Sequence, residues 1–495
     1  MVFIPVSNLW SKINKQTKGN KVKRKLSILA TLTILATNTV AEPVEIRISL
    51  HDALTRALRN NPLVRIERIK TDIAETLLRE HQFAYEPNVR LSYTTGANDT
   101  LGLGDLSEAS LSVSARAPTG TGVEFFNRDT RSPQARASGN THQNAVGFTV
   151  TQALLQGFGL SANLVPIHKA RLDIDLRQEE LAGFTQRLLL DTERAYWNLL
   201  LSREELKIFE HSLDLAERLL FEAEARLQTG GIAPIDLAVI RAERASREKQ
   251  LFDAQTSYKQ RILALAYLMN APELWTAAIN PTDTISLLGE ADALEDHLRA
   301  AQNFRPDLRQ AQLQVKKGEL DLVHTKNGLL PRLDFWITLQ GTSYAESFGS
   351  ALLPSDPTKA SVASGLTLQF PITNGAARQR HQRAMHSLEE RNLSIANFTR
   401  LIEYEIRAAH LEVTRASIQV ETAKIVSALQ QQKMEAEAEK LRVGRSTGFA
   451  LLQAQRDLIS ANLDEVRAKS AYSDALLSLY FRDGTLLQRR GIRGE

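Results

Sequence analysis

The 495 residues carry 61 Lys and Arg against 57 Asp and Glu, a formal net charge of +4, with 43% hydrophobic residues and no cysteine. The missing cysteines exclude a disulfide framework and the acylated N-terminal cysteine of a lipoprotein, so stability must come from packing and assembly. The basic pI does not point to nucleic acid, because seven basic residues and no acidic one fall in positions 1–41 and the remainder is left at −3.

Positions 1–41 read as a signal peptide for export. Lys12, Lys15, Lys18, Lys21, Lys23, Arg24 and Lys25 precede the apolar run Leu26 to Ala36, and Thr39-Val40-Ala41 offers a small-residue cleavage site before Glu42. That run is much shorter than the roughly 20 residues of a spanning helix.

A first structural repeat is expected over 42–285. Its opening, 49–84, reads as helix in two pieces broken at Asn60-Asn61-Pro62. Ser49 is a plausible N-cap with Asp52 three residues on, and Leu50, Ala53, Leu54, Ala57 and Leu58 form one apolar face. After Glu86-Pro87 the period changes to two, predicting strands over 88–152: Val89, Leu91 and Tyr93 alternate with polar residues, as do Val146, Phe148 and Val150. Between them, Leu111, Val113, Ala115 and Ala117 lead through Pro118-Thr119-Gly120-Thr121-Gly122 to Val123 and Phe125, a hairpin signature at 108–127. That hairpin fits either two further membrane strands or an extracellular protrusion.

A long helical hairpin is expected over 160–270. Ala195, Leu199, Ser202, Leu206, Phe209, Leu213, Ala216, Leu220, Ala223 and Leu227 lie alternately 4 and 3 apart, a coiled-coil seam. Carried back to about Leu164, this arm reaches roughly 95 Å at 1.5 Å per residue. It stops at Gly230-Gly231-Ile232-Ala233-Pro234, where glycine suits a C-cap and proline the first turn of a returning helix. Pro166 belongs in the first turn of the outgoing arm, where it costs little.

The second repeat, 286–495, copies the first, with helices over 291–329, strands over 332–371 and a helical hairpin over 375–482. Leu227, Gly230, Leu237, Ala254 and Tyr258 recur as Leu441, Gly444, Leu451, Ala468 and Tyr472, each 214 positions on, while Pro62 and Pro87 recur as Pro306 and Pro331, each 244 on. The chain is a tandem duplication. Leu333, Phe335, Ile337 and Leu339 alternate with polar residues, and Leu366, Leu368 and Phe370 supply a returning strand. Apolar-out, polar-in strands suit a transmembrane β-barrel, and the same alternation suits a half-buried sheet on a soluble core. Four strands cannot close a barrel around a lumen, so if they span a membrane they must be pooled between subunits of a homo-oligomer.

In the order and duplication of these features the sequence resembles the TolC-like outer-membrane efflux proteins, the outer membrane factors of tripartite export systems. The resemblance rests on the opening Ser49-Leu50-x-x-Ala53-Leu54-x-x-Ala57-Leu58-x-x-Asn61-Pro62, the junction Glu86-Pro87, Thr151-Gln152-Ala153-Leu154-Leu155-Gln156-Gly157-Phe158-Gly159, and both glycine tips. It implies an α+β membrane protein. Long antiparallel coiled-coil helices would build a periplasmic α-barrel, and a homotrimer would share a barrel of 12 strands in the outer membrane of a Gram-negative bacterium.

It further implies a passive duct in outer-membrane lipid, docked by a periplasmic adaptor protein and fed by an inner-membrane pump. No nucleic acid, cofactor or metal is implied. The implied docking and gating residues are Gly230, Gly231, Ile232, Pro234 and Asp236 at the first tip, and Arg442, Gly444, Arg445, Ser446, Thr447, Ala450 and Gln453 at the second. Ala450 and Gln453 stand where the best-known member narrows its mouth with carboxylates, so an acidic gate is not expected there. Arg442 and Arg445 could pair with Asp236 across neighbouring tips, or lie solvated at the helix end.

No phosphate-cradling loop, HExxH or nucleophile elbow is present. The competing readings are a soluble periplasmic coiled-coil scaffold or adaptor, which leaves the alternating strands without a role, and an exported enzyme, which lacks a recognisable site.

Overall fold

The computed structural model describes residues 45–97, 105–131, 142–275, 278–284, 289, 291–345 and 360–492. The expected leader at 1–41 lies outside the described residues.

In chain order, β1 (Glu45–Ile48) leads into α1 (Leu50–Asn60), which starts in a capping box: Ser49 Oγ accepts the Asp52 N–H at 3.2 Å and Asp52 accepts the Ser49 N–H at 3.4 Å. Asn61 ends α1 in extended backbone and caps α2 (Pro62–Phe83), its Oδ1 accepting the Leu63 N–H at 2.9 Å. Strands β2 (Asn88–Ala97), β3 (Asp105–Arg116), β4 (Thr121–Arg131) and β5 (His142–Ala153) follow. The short α3 (Leu160–Asn163) precedes α4 (Val165–Gln228), 64 residues long and so about 96 Å. Pro166 sits in the first turn of α4, where its missing N–H has no helical partner to lose.

The returning arm is α5 (Pro234–Leu268), followed by β6 (Ala278–Pro281). The second repeat gives α6 (Leu294–Phe304), α7 (Pro306–Asn327), β7 (Arg332–Ala345), β8 (Ala360–Gln369), α8 (Gly375–Arg442, 68 residues), α9 (Gly448–Arg482) and α10 (Leu486–Arg489). Each hairpin therefore has one long and one short arm. The shorter helices extend the short ones: Asn61 Nδ2 donates to Leu268 O at 3.2 Å where α2 meets the end of α5, and Arg305 Nη1 donates to Arg482 O at 3.2 Å where α7 meets the end of α9.

Among the described residues the strands form two sheets, a parallel pair β1–β6 and a six-stranded antiparallel sheet in the order β2-β3-β4-β5-β7-β8. The hairpin at 108–127 is thus a continuous part of the large sheet. Its turn lies at the helical end: Pro118 O accepts from Asn163 Nδ2 at 2.9 Å, and Thr119 O accepts the Gly159 N–H at 3.1 Å. The protruding alternative is excluded.

The register separates two faces. One row across all six strands reads Val89, Val113, Phe125, Phe148, Leu339, Val362. The row beside it, on the other face, reads Asn88, Ser114, Glu124, Thr149, Thr338, Ala363. The polar face is concave: Asn88, Ser114, Glu124, Thr149, Asp334 and Gln369, one from each strand, line a cavity of about 970 Å³. Two aromatics lie on this face over glycines of the next strand; a Cβ at Gly365 would come within 2.7 Å of the Trp336 ring, and one at Gly147 would enter the Phe126 ring.

The cores sit midway along the helices. Ile48, Tyr196, Leu199, Leu265, Met269, Leu274 and Ile279 form one cluster, in which β1–β6 is pinned by Tyr258 Oη donating to Ile279 O at 2.6 Å. Leu189, Ile406, Leu476, Leu479 and Leu486 belong to another. Beside it the fully buried Glu193 carboxylate takes the Trp197 indole N–H at 3.2 Å and the guanidinium of Arg490, so α10 is fastened to α4. No motif in the sequence announced β1–β6.

Candidate functional site

Both hairpins turn by the same device, which fixes the shape of the tips. At the first, Gly230 N–H donates to Leu227 O at 3.0 Å and Gly231 N–H to Arg226 O at 2.7 Å, with Gly230 at φ +76°. At the second, Gly444 N–H donates to Leu441 O at 3.1 Å and Arg445 N–H to Lys440 O at 2.8 Å, with Gly444 at φ +74°. Each is a Schellman closure with the left-handed glycine it needs. The carbonyls left over at the helix end are thereby bonded, and the chain reverses without a loose loop.

The returning helices are started differently. Pro234 occupies the first position of α5, and Asp236 accepts the Ala233 N–H at 3.4 Å, so this carboxylate caps its own helix. At α9 the cap is Thr447, whose Oγ1 accepts the Ala450 N–H at 3.2 Å. Ile232 packs into a small cluster with Ala223, Leu237, Ile240 and Leu452, and Leu452 of α9 ties the second hairpin to the first.

The polar residues of the second tip are occupied locally. Arg442 pairs with Glu439 at 2.9 Å, Ser446 Oγ donates to Glu437 at 2.8 Å, and Gln453 Nε2 donates to Asp457 at 2.8 Å. Asp457 also pairs with Lys433 at 2.7 Å, and these two bonds hold its carboxyl below the ordinary range. Within one protomer, then, Asp236 and Arg442 each have a partner on their own hairpin rather than each other. Ala450 and Gln453 leave the position free of charge.

A contact that motif reading missed lies between about two and three turns above the tips. Glu243 of α5 is almost fully buried, pairs with Arg247 at 2.6 Å, and receives Arg456 from α9. Burial pushes the Glu243 carboxyl up, but the Arg456 hydrogen bond and the charge of Arg247 outweigh it and hold the group below the usual carboxylate range. This ion pair latches one hairpin to the other. The signal was available: Glu243 and Asp457 are repeat mates, 214 positions apart, so the duplication places an acid at the same height in both hairpins.

Large apolar side chains remain exposed at both tips, namely Ile235, Val443 and Phe449. A polar rim around exposed apolar groups is the usual form of a protein-docking surface.

Residues 53–271 and 298–485 match the profile of the family described as outer membrane efflux protein. Over 157 residues the chain is 27% identical to the cobalt-zinc-cadmium resistance protein CzcC of Cupriavidus metallidurans, a stretch that is 30% of this chain and spans 38% of the length of that relative. The fold is similar to the CmeC outer membrane channel of Campylobacter jejuni, with a TM-score of 0.67 and 16% identity over 88% of this chain and 86% of that one. It is also similar to the outer membrane protein VceC of Vibrio cholerae, with a TM-score of 0.67 and 14% identity over 88% of this chain and 96% of that one. The open MtrE channel of Neisseria gonorrhoeae matches with a TM-score of 0.65 and 16% identity, over 88% of this chain and 89% of that one.

Proposed function

The chain belongs to the outer membrane efflux protein family, and from that premise we propose that it forms the outer-membrane duct of a tripartite efflux or secretion system. The observation that carries the reading is the large sheet. A band of its convex face, the row from Val89 to Val362, is apolar from edge to edge, its concave face is mostly polar, and its strands of 10–14 residues match a bilayer crossing. Helical hairpins about 100 Å long continue from its inner end.

The duct is a homotrimer. Along α8, Tyr404, Leu411, Ile418 and Ile425 fall seven apart and are all exposed, a coiled-coil seam that a neighbouring copy would cover. Residues 1–41 direct export. The tips are the inner mouth, where a periplasmic adaptor docks on Ile235, Val443 and Phe449, and an inner-membrane pump supplies the energy. The duct performs no catalytic step. The relative named for cobalt, zinc and cadmium resistance makes divalent metal cations the first cargo class to assay.

The test is the mass of the species that detergent extracts from outer membranes, with bound detergent subtracted. About three chain masses, with channels in planar bilayers, is the expected result. A soluble periplasmic monomer would overturn the duct and favour a coiled-coil scaffold.

A further inference from the structure

We propose that this duct is closed in the membrane by 18 strands, six from each of three copies, and that its outer bore is correspondingly wider than that of a 12-stranded barrel. The inference rests on the trimeric duct reading above and adds to it the wall, the bore and the seam between copies.

The extra hairpin is built as wall. On β3 and β4 the residues in line with the apolar row near the turn are Leu111, Val113, Ala115, Val123 and Phe125, with the polar Asn127, Asp129 and Arg131 continuing that face of β4 towards its outer end. Ser110, Ser112, Ser114, Glu124, Phe126 and Arg128 lie on the concave side with the mostly polar residues of the other four strands. A hairpin lying outside the bilayer has no reason to keep that alternation in phase with its neighbours. Ser114 and Glu124 line the same concave cavity as Asn88, Thr149 and Asp334.

The sheet is also open in a way that lipid does not tolerate. Among the described residues β2 and β8 are the edges, each paired on one side only, and both carry exposed apolar residues: Leu91 and Tyr93 on β2, Leu366 and Leu368 on β8. Backbone groups in hydrocarbon must be paired, so each edge needs a strand. Because six is even, β2 and β8 run in opposite directions, and β8 of one copy meets β2 of the next in the antiparallel sense that fills the sheet. A second copy of this chain is therefore the occupant of both edges. With strands about 4.8 Å apart and tilted about 40°, 18 strands give a backbone diameter of about 36 Å against about 24 Å for 12. The tips are then the narrowest point of the duct, and the membrane portion limits only what can enter from the outer side.

The absence of cysteine makes a direct test possible. Single variants Leu111→Cys, Ser112→Cys, Val113→Cys and Ser114→Cys are treated in outer membranes with a membrane-impermeant thiol reagent. The wall predicts reaction at 112 and 114 and protection at 111 and 113. Reaction at all four, or at none, would overturn it. The same samples are extracted and weighed: a trimer without the alternation removes the 18-stranded wall and leaves the duct, whereas a soluble monomer removes both. In bilayers, polymers added on the outer side should have a cut-off diameter about 1.5-fold larger for the full chain than for a variant lacking 105–131. Equal cut-offs for two trimeric channels would also reject the proposal.

Discussion

The two halves of the chain share one skeleton and bury it differently. In the first half α4 has 18 buried residues among 64, because α1, α2, α5, α7, α9 and α10 all pack on it; α8, its counterpart of 68 residues, has seven. The difference teaches where the neighbours are. In the proposed trimer, a helix that lies inside its own protomer is covered by the chain, and a helix at the protomer boundary keeps its second seam for another copy.

The same contrast holds at smaller scale. The acid Glu243 is buried and bridges two hairpins, while its repeat mate Asp457 is paired at the surface with Lys433. Asn270 and Gly484 occupy equivalent left-handed positions after α5 and α9, with φ +48° and +78°. The first half also contributes four strands to the large sheet and the second only two.

The largest effect is expected from α8. Leu411→Asp combined with Ile418→Asp removes two apolar side chains from each exposed seam, about 1.5–3 kcal/mol apiece, and places charge between copies. Sedimentation in detergent should show monomers in place of trimers. A charge-retaining substitution at the exposed Glu222 of α4 gives the reference with assembly intact.

Next in size is the pair of left-handed caps. A Cβ at Gly484 would stand 2.7 Å from the carbonyl carbon of Phe304, and the backbone there cannot yield. Gly484→Asn should cost about 3 kcal/mol, while Asn270→Gly at the equivalent place should change thermal stability by less than about 1 kcal/mol. Equal losses at the two sites would mean that the halves pack alike after all.

A smaller effect is expected at the latch. Arg456→Ala leaves Glu243 with Arg247 alone and should cost about 1–3 kcal/mol, read as a raised closed-state conductance if the hairpins part at the tip. The sign of the pH dependence follows from the depressed Glu243 value. Its contribution is complete above the unfolded carboxyl pKa of about 4.3 and is lost as pH falls through the lower folded value. Glu243→Gln should lack that acid limb, whereas Asp457→Asn, at an exposed pair, should change the conductance little.

Much of this architecture is legible in the sequence because it is periodic. The Ser49 and Asp52 box, the glycine tips and the strand alternation are local patterns whose physics needs few distant partners. The hairpin at 108–127 was visible as alternation around Pro118 to Gly122, but its place in the wall depends on Asn163 and Gly159, which receive its turn from far along the chain. The β1–β6 pair was not visible, since four residues on either side carry no period, and what holds them is the distant Tyr196 and Tyr258. The latch escaped for a related reason: the duplication sets an acid at the same height in both hairpins, but which of the two receives an arginine from the other hairpin is decided by their packing.

The smallest effect separates the two accounts of Asp236. In one protomer its carboxylate accepts the Ala233 N–H and starts α5, while Arg442 pairs with Glu439. A cap of this kind contributes about 0.5–1 kcal/mol through the orphan donor and the helix dipole. Asp236→Ala should therefore lower thermal stability by no more than that and leave closed-state conductance at the wild-type level. A conductance that rises in Asp236→Ala and rises equally in Arg445→Ala, with no further rise in the double variant, would instead place the pair across the boundary between copies. The first tip would then gate through its neighbour, although every contact within the protomer makes it a helix start.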